Sequence, residues 1–216
     1  MEEEDMHKPA LTPNEALKML QEGNARYVAG TPQHPNMDQA GRTLAAQGQH
    51  PFASFLSCAD SRVPVEAICD AGIGDLFLVR NAGNVVGRNE LGSIEYSVDH
   101  LGVSVFVVLA HSKCGAVKAV YESGLLGGNL QEISERILPA VEEIKKNNPG
   151  SVEDKLIDEA AKINMWNSIA DAFKKSECIR NKVKSGDINV VGAFYDIETG
   201  RIDWMGTHPQ QDRLSA

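Results

Sequence analysis

The sequence predicts an α/β fold: a mainly parallel sheet flanked by helices, an antiparallel hairpin at the C-terminal edge of the sheet, and a helical arm at the N-terminus. Three features lead there. Residues 52–56 (Phe-Ala-Ser-Phe-Leu) and 103–110 (Val-Ser-Val-Phe-Val-Val-Leu-Ala) are short and almost wholly apolar, the pattern of strands buried on both faces. Between such runs stand segments with apolar residues three and four positions apart, the clearest being Leu91, Ile94, Val98 and Leu101. Strands and helices in alternation specify a parallel sheet. The last two apolar runs, 188–195 and 201–205, are joined across Thr199-Gly200, a turn that folds the second run back on the first.

The elements follow in order. Thr12 can cap a helix, Pro13 suits its first position, and Glu15 can close a capping box. Leu17, Leu20, Tyr27 and Val28 give that helix a partial apolar face, and Gly30 ends it. It has no sequence neighbour to pack on, so it is expected to lie across this domain or a partner subunit. Residues 31–51 are mixed and rich in Gly, Pro and Gln, with a short helix expected from Asp38 to Gln47. The core then reads strand 52–57, a short helix near 64–70, strand 75–80, the helix of Leu91 to Leu101, strand 103–110, and a helix from Gly115 to about Ser123. Leu130, Ile133, Ile137, Val141 and Ile144 form another helical stripe, which Pro139 is expected to kink or split. A long helical region covers about 152–184. The Gly/Asn-rich stretches at 127–129 and 147–150 read as loops inside one domain, 1–216, made of an arm (1–50) and an α/β core (51–216).

A chain of 216 residues buries roughly 70% of its unfolded surface, so a metal is not needed to hold it together. The net charge of -9 argues against a nucleic-acid or anionic-membrane partner. No apolar run approaches the roughly 20 residues of a membrane span. The acidic opening Met1-Glu2-Glu3-Glu4-Asp5 stands where a secretory signal would be basic and then apolar. The expected compartment is the cytoplasm, with an organelle left open if a transit segment has been removed. In that setting the four cysteines are expected to be reduced.

The chemistry concentrates in Cys58-Ala59-Asp60-Ser61-Arg62 and His111-Ser112-Lys113-Cys114, each at the carboxyl end of an expected strand, where open α/β sheets gather their sites. A lone cysteine usually packs as a small hydrophobe. The His-x-x-Cys spacing, however, lets two donors reach one ion from a single turn, and Cys58 adds a third. Cys58, His111 and Cys114 are therefore candidate zinc ligands, one short of a tetrahedral set, as a catalytic zinc requires. Cys69 and Cys178 read as core residues. Asp60 and Arg62 are the catalytic candidates. Elsewhere they would be an ordinary ion pair. Beside zinc, a carboxylate held by a guanidinium can accept a hydrogen bond from zinc-bound hydroxide and aim its lone pair at an electrophile. Alternatively Asp60 takes the fourth zinc position and closes the site, with Arg62 competing for the carboxylate as a latch. His7, His34, His50, His100 and His208 show no ligand spacing, residues 83–87 are no dinucleotide fingerprint, and the Cys-x-x-Cys of a thiol redox protein does not occur.

Cys-x-Asp-x-Arg followed downstream by His-x-x-Cys-Gly resembles the β-class carbonic anhydrases. The likeness runs through nearly the whole chain, including the segment from Gly74 to Asn84 and Ser93-Ile94-Glu95-Tyr96. It implies a β-carbonic anhydrase-like fold, one zinc per chain, and reversible hydration of carbon dioxide to bicarbonate and a proton by zinc-bound hydroxide, in a homodimer or a multiple of dimers. It also implies a substrate side built from Gln49, Phe77, Tyr96 and Gly115, with the first three matching the plant-type branch. Without the resemblance, Gln49 reads as a polar loop residue and Phe77 and Tyr96 as core. One departure stands out. Some bacterial members bind inhibitory bicarbonate through a Trp three residues before the first zinc cysteine, together with an Arg and a Tyr. Arg80 and Tyr195 match, but Phe55 stands in the Trp position, so cooperative inhibition through that site is not expected here. Two rivals complete the reading. A carbonyl sulfide or carbon disulfide hydrolase would use the same site. A non-catalytic module stabilised by zinc would want four protein ligands and gain nothing from Asp60 and Arg62.

Overall fold

A computed structural model describes residues 11–149 and 154–216. The acidic opening at 1–5, His7, Gly150 and Val152 lie outside the described residues. Helix α1 (Pro13–Val28) starts as its capping box directs: the Thr12 hydroxyl accepts from the Glu15 backbone N–H, and the Glu15 carboxylate accepts from the Thr12 N–H. Helix α2 (Gln39–Ala45) is capped by Asp38 and buries none of its residues. The core continues with β1 (Ala53–Cys58), α3 (Val65–Ile68), β2 (Leu76–Asn81), a 3₁₀ turn at Ala82–Asn84, α4 (Arg88–Asp99), β3 (Val105–His111) and α5 (Gly115–Ser123). A second 3₁₀ turn at Gly128–Leu130 leads into α6 (Gln131–Asn147), α7 (Asp154–Lys175), α8 (Glu177–Ser185), β4 (Asn189–Tyr195), β5 (Ile202–Gly206) and α9 (Gln211–Ser215).

The five strands form one sheet in the order β2-β1-β3-β4-β5, parallel except for the final antiparallel pair. Every residue of β1 and β3 is buried, which is why their sequences are apolar without alternation. Leu56, Val108, Val190 and their neighbours pack under α4, α5, α6, α7 and α8 on one face. Phe55, Val107, Val191 and Tyr195 pack under α1 and α3 on the other. The α1 helix thus has a partner within its own chain. Ala16 and Leu20 are fully buried in this second layer, and the Asn24 side chain donates to the Ile68 and Gly200 carbonyls and accepts from the Ile202 N–H. Asp70 adds a second tie: its carboxylate accepts from the Arg26 guanidinium at 2.6 Å and from the Gln33 and His34 N–H groups.

Three expectations need correction. Pro139 does not split α6, which is continuous from Gln131 to Asn147. Leu130 does not belong to its buried stripe; it precedes the helix and stands 52% exposed. The long helical region breaks at Ser176, whose hydroxyl caps α8 by accepting from the Ile179 N–H. No helix among the described residues is long and apolar enough to cross a membrane.

Candidate metal centre

Strands β1 and β3 are adjacent and parallel, with Ser57 opposite Leu109, so their carboxyl ends place Cys58 and His111 at the same edge. Cys114 follows one short turn later, as the N-cap residue just before α5. The Ser112 N–H donates to the Tyr195 carbonyl and its hydroxyl accepts from the Ile197 N–H, which anchors that turn to the end of β4. The candidate ligand atoms of Cys58, His111 and Cys114 all lie within 4.8 Å of one another, and all three residues are buried.

The donors fit a zinc ion. Nδ1 of His111 lies 2.9 Å from the Ser112 carbonyl, which can only accept, so Nδ1 carries the proton and Nε2 presents a lone pair. Nε2 is buried and has no hydrogen-bond partner among the described residues, an arrangement that is costly unless a ligand completes it. The Cys58 and Cys114 sulfurs are 4.0 Å apart. Two thiolates about 2.3 Å from one tetrahedral ion stand roughly 3.8 Å apart, so the pair needs little adjustment. The hydrogen bond with Cys114 brings Cys58 down to about 4, while the same bond with Cys58, together with burial, pushes Cys114 well up. The opposite shifts belong to the pair: two close thiolates repel, so one proton leaves early and the other late. The Gly83 N–H, donating to the Cys58 sulfur at 3.3 Å, also favours the thiolate.

Asp60 and Arg62 form a fork. Arg62 Nε donates to Oδ1 at 2.9 Å, Nη2 to Oδ2 at 2.7 Å, and the Arg62 backbone N–H to Oδ1 at 3.0 Å. These bonds hold the carboxyl well below the usual carboxylate range, so it is ionised at neutral pH. Oδ2 lies 3.9 Å from His111 Nε2, beside the three donors. The carboxylate is held at the margin of the cluster with lone-pair capacity to spare.

A carbonic anhydrase family model matches residues 53–202. Carbonic anhydrase 2 of Mycobacterium tuberculosis is 39% identical over 197 residues, covering 89% of this chain and 93% of its own length. A solved structure described among two tetrameric β-carbonic anhydrases of Sordaria macrospora matches with a TM-score of 0.71 at 28% identity, covering 89% of this chain and 98% of that one. The chain belongs to the β-class carbonic anhydrases. Within the family, the carbonic anhydrase of Mycolicibacterium smegmatis is also similar, 38% identical over 90% of this chain and 94% of its own.

Of the other residues matched to the family, Gln49, Phe77 and Tyr96 stand outside the elements that carry the cluster. Phe77, on edge strand β2, and Tyr96, on α4, contact each other with ring centroids 6.0 Å apart, and Tyr96 also stacks near His100. Tyr96 is 44% exposed and Gln49, after α2, is exposed. Gly115 opens α5, and a Cβ there would meet nothing within 4 Å, so packing within the chain does not demand glycine. Phe55 is fully buried and Tyr195 nearly so. Arg80 donates to the Cys58 carbonyl at 3.1 and 3.0 Å and to the Asp60 carbonyl at 2.8 Å, a supporting role that sequence reading missed. It likewise missed the role of α7, expected as a helix, whose Asn164 donates to the Gly83 carbonyl and whose Ser168 donates to that of Asn84. No local pattern marks these residues, because their partners are distant in sequence. Cys69, as expected, is a buried core thiol, pushed up to about 12 by burial and then by the Glu66 charge.

Proposed function

We propose that this protein catalyses the reversible hydration of carbon dioxide to bicarbonate and a proton, with one zinc ion held by Cys58, His111 and Cys114. The observation that carries this reading is an unpartnered, fully buried His111 Nε2 converging with two thiols beside a carboxylate that Arg62 holds ionised. When bound, zinc supplies the Lewis acidity that makes water a nucleophile near neutral pH. Asp60 accepts a hydrogen bond from the attacking water and turns its lone pair toward the carbon of carbon dioxide. Arg62 keeps Asp60 ionised and oriented by holding both its oxygens. Arg80 fixes the carbonyls on either side of Ala59, so the Cys58–Asp60 segment keeps its geometry while the substrate turns over.

The substrate side is assigned to Gln49, Phe77, Tyr96 and Gly115, following the plant-type branch, with Gln49 and the aromatic pair brought to the cluster in a homodimer or a multiple of dimers. In support, among the described residues α2 has no buried side chain, Gln49 and Tyr96 are exposed, and β2 is an edge strand of the sheet. The Sordaria macrospora relatives are described as tetrameric. The cytoplasm is the proposed compartment, supported by four free cysteines.

The test combines elemental analysis with stopped-flow hydration of carbon dioxide, run beside carbonyl sulfide and carbon disulfide. One zinc per chain and fast hydration are the expected results. A zinc-loaded protein that turns over a sulfur analogue and leaves carbon dioxide untouched would overturn the substrate assignment.

A further inference from the structure

Lys113, between His111 and Cys114, has a φ of +55°, in the left-handed region that side chains other than Asn and Asp rarely adopt. Such a conformation persists only where its surroundings impose it. The Lys113 side chain does not impose it. Among the described residues its ammonium pairs with Glu198, at 3.4 Å, and both groups are more than half exposed. The peptide groups are held instead. The Lys113 N–H donates to Oδ1 of Asp158 on α7 at 2.7 Å, and the Lys113 carbonyl accepts from Arg62 Nη2 at 3.1 Å. That same Nη2 donates to Oδ2 of Asp60. One continuous series of hydrogen bonds therefore runs from Asp158 through the Lys113 backbone and Arg62 to Asp60.

We propose that Asp158 is a positioning residue for the metal centre: its carboxylate holds Lys113 in the left-handed conformation that aims His111 and Cys114 at one ion, and the Lys113 carbonyl, so placed, steadies Arg62 on Asp60. A carboxylate accepting from a backbone N–H is a strong, directional contact, and a partner one step behind the ligands typically changes metal affinity by roughly 10–100-fold. Asp158 is partly exposed on α7, where alanine is an excellent helix former, so its truncation leaves the helix intact.

The inference rests on the zinc reading above, and its test separates the two. Zinc affinity of the full-length holoprotein is measured by competition with a chelating dye. The proteins compared are the unaltered chain, Asp158→Asn, Asp158→Ala, and Asp158→Ala combined with Lys113→Gly. Asp158→Asn keeps an acceptor oxygen in place and should hold zinc like the unaltered chain. Asp158→Ala should bind roughly 10–100-fold more weakly. Adding Lys113→Gly should restore most of the loss, because glycine adopts a positive φ without help. Unaltered affinity in Asp158→Ala would overturn the proposal. So would Asp158→Asn as weak as the alanine variant, or no recovery with glycine, since either result would separate the loss from the conformation of the turn. An unaltered chain that binds no zinc would instead overturn the zinc reading, and this inference with it.

Discussion

Replacing Asp60 with asparagine tests whether the Asp60–Arg62 fork works on substrate or merely pairs charges. The amide keeps Oδ1, which still accepts from Arg62 Nε and from the Arg62 backbone N–H. In place of Oδ2 it sets an NH₂ against Arg62 Nη2, so donor faces donor where a 2.7 Å hydrogen bond stood. A hydrogen bond to a charged group is worth about 1.5–3 kcal/mol. The Arg62 side chain is 47% exposed and can turn to water, so the net stability cost is smaller, about 1 kcal/mol. For a chain of this length that is a fall of about 2–4 °C in Tm. The activity cost should be larger. The acceptor beside the three donors has become a donor, and loss of one preorganised polar group at a reacting centre costs roughly 10²–10³ in kcat. A hundredfold loss corresponds to about 2.7 kcal/mol of barrier, well above the stability change. Stopped-flow hydration, zinc content and thermal melting measured on one preparation separate these effects. Full zinc, a small Tm shift and a rate near that of the unaltered chain would show that the carboxylate has no part in the reaction.

Three further outcomes are expected. Cys114→Ser should lose most of its zinc by elemental analysis, because the site then offers one thiolate and one imidazole; stoichiometric metal with full activity would reject the ligand set. Burial pushes the Asp70 carboxyl up, but the Gln33 N–H, Arg26 and the His34 N–H outweigh it and leave it net lowered. Its contribution is therefore present above the ordinary carboxylate range and lost as pH falls through the lower folded value. Asp70→Asn should cost roughly 2 kcal/mol at neutral pH, and denaturation midpoints of the two proteins should converge toward acid pH. Asparagine tolerates the positive φ of residue 70, so no backbone strain confuses that comparison. Bicarbonate should inhibit without cooperativity, since Phe55 is buried and the Arg80 guanidinium already holds two backbone carbonyls. A strongly sigmoidal inhibition curve would contradict this.

What could be read from the sequence follows from how locally each feature is determined. Strands β1 and β3 were legible because burial on both faces leaves them mostly apolar, with only the small Ser54 and Ser57 and the terminal His111 as polar residues. Their expected ends fell a residue short, because Cys58 and His111 belong to the sheet ladder while their side chains read as site. The break at Ser176 was invisible because helical periodicity continues through it and only the cap to Ile179 marks it. Pro139 misled in the other direction: α6 continues past it despite the missing donor. The α1 helix seemed to lack a partner because its contacts, through Asn24 to Gly200 and Ile202, come from the far end of the chain. The Cys58–His111–Cys114 grouping and the Asp60–Arg62 fork were legible because their residues lie within a few positions of the ends of β1 and β3. Arg80 and Asp158 were not, since an arginine in a strand and an aspartate on a half-exposed helix look like ordinary surface charges until the fold brings them to the backbone of the site.

Arg80 projects from an edge strand whose alignment to β1 sets Val79 opposite Leu56, Arg80 opposite Ser57 and Asn81 opposite Cys58. The carbonyls that Arg80 grips are therefore gauged by the ladder, as a vernier reads against its scale. One residue inserted into β2 would turn its outward and inward side chains over and carry the guanidinium away from Cys58, though the outline of the molecule could survive. The same insertion beside Leu125, in the exposed link between α5 and α6, would change no such alignment. Tolerance to length change in this chain should thus be sharply uneven, with its most intolerant stretch on the strand at the rim of the sheet, where edge position alone would suggest freedom.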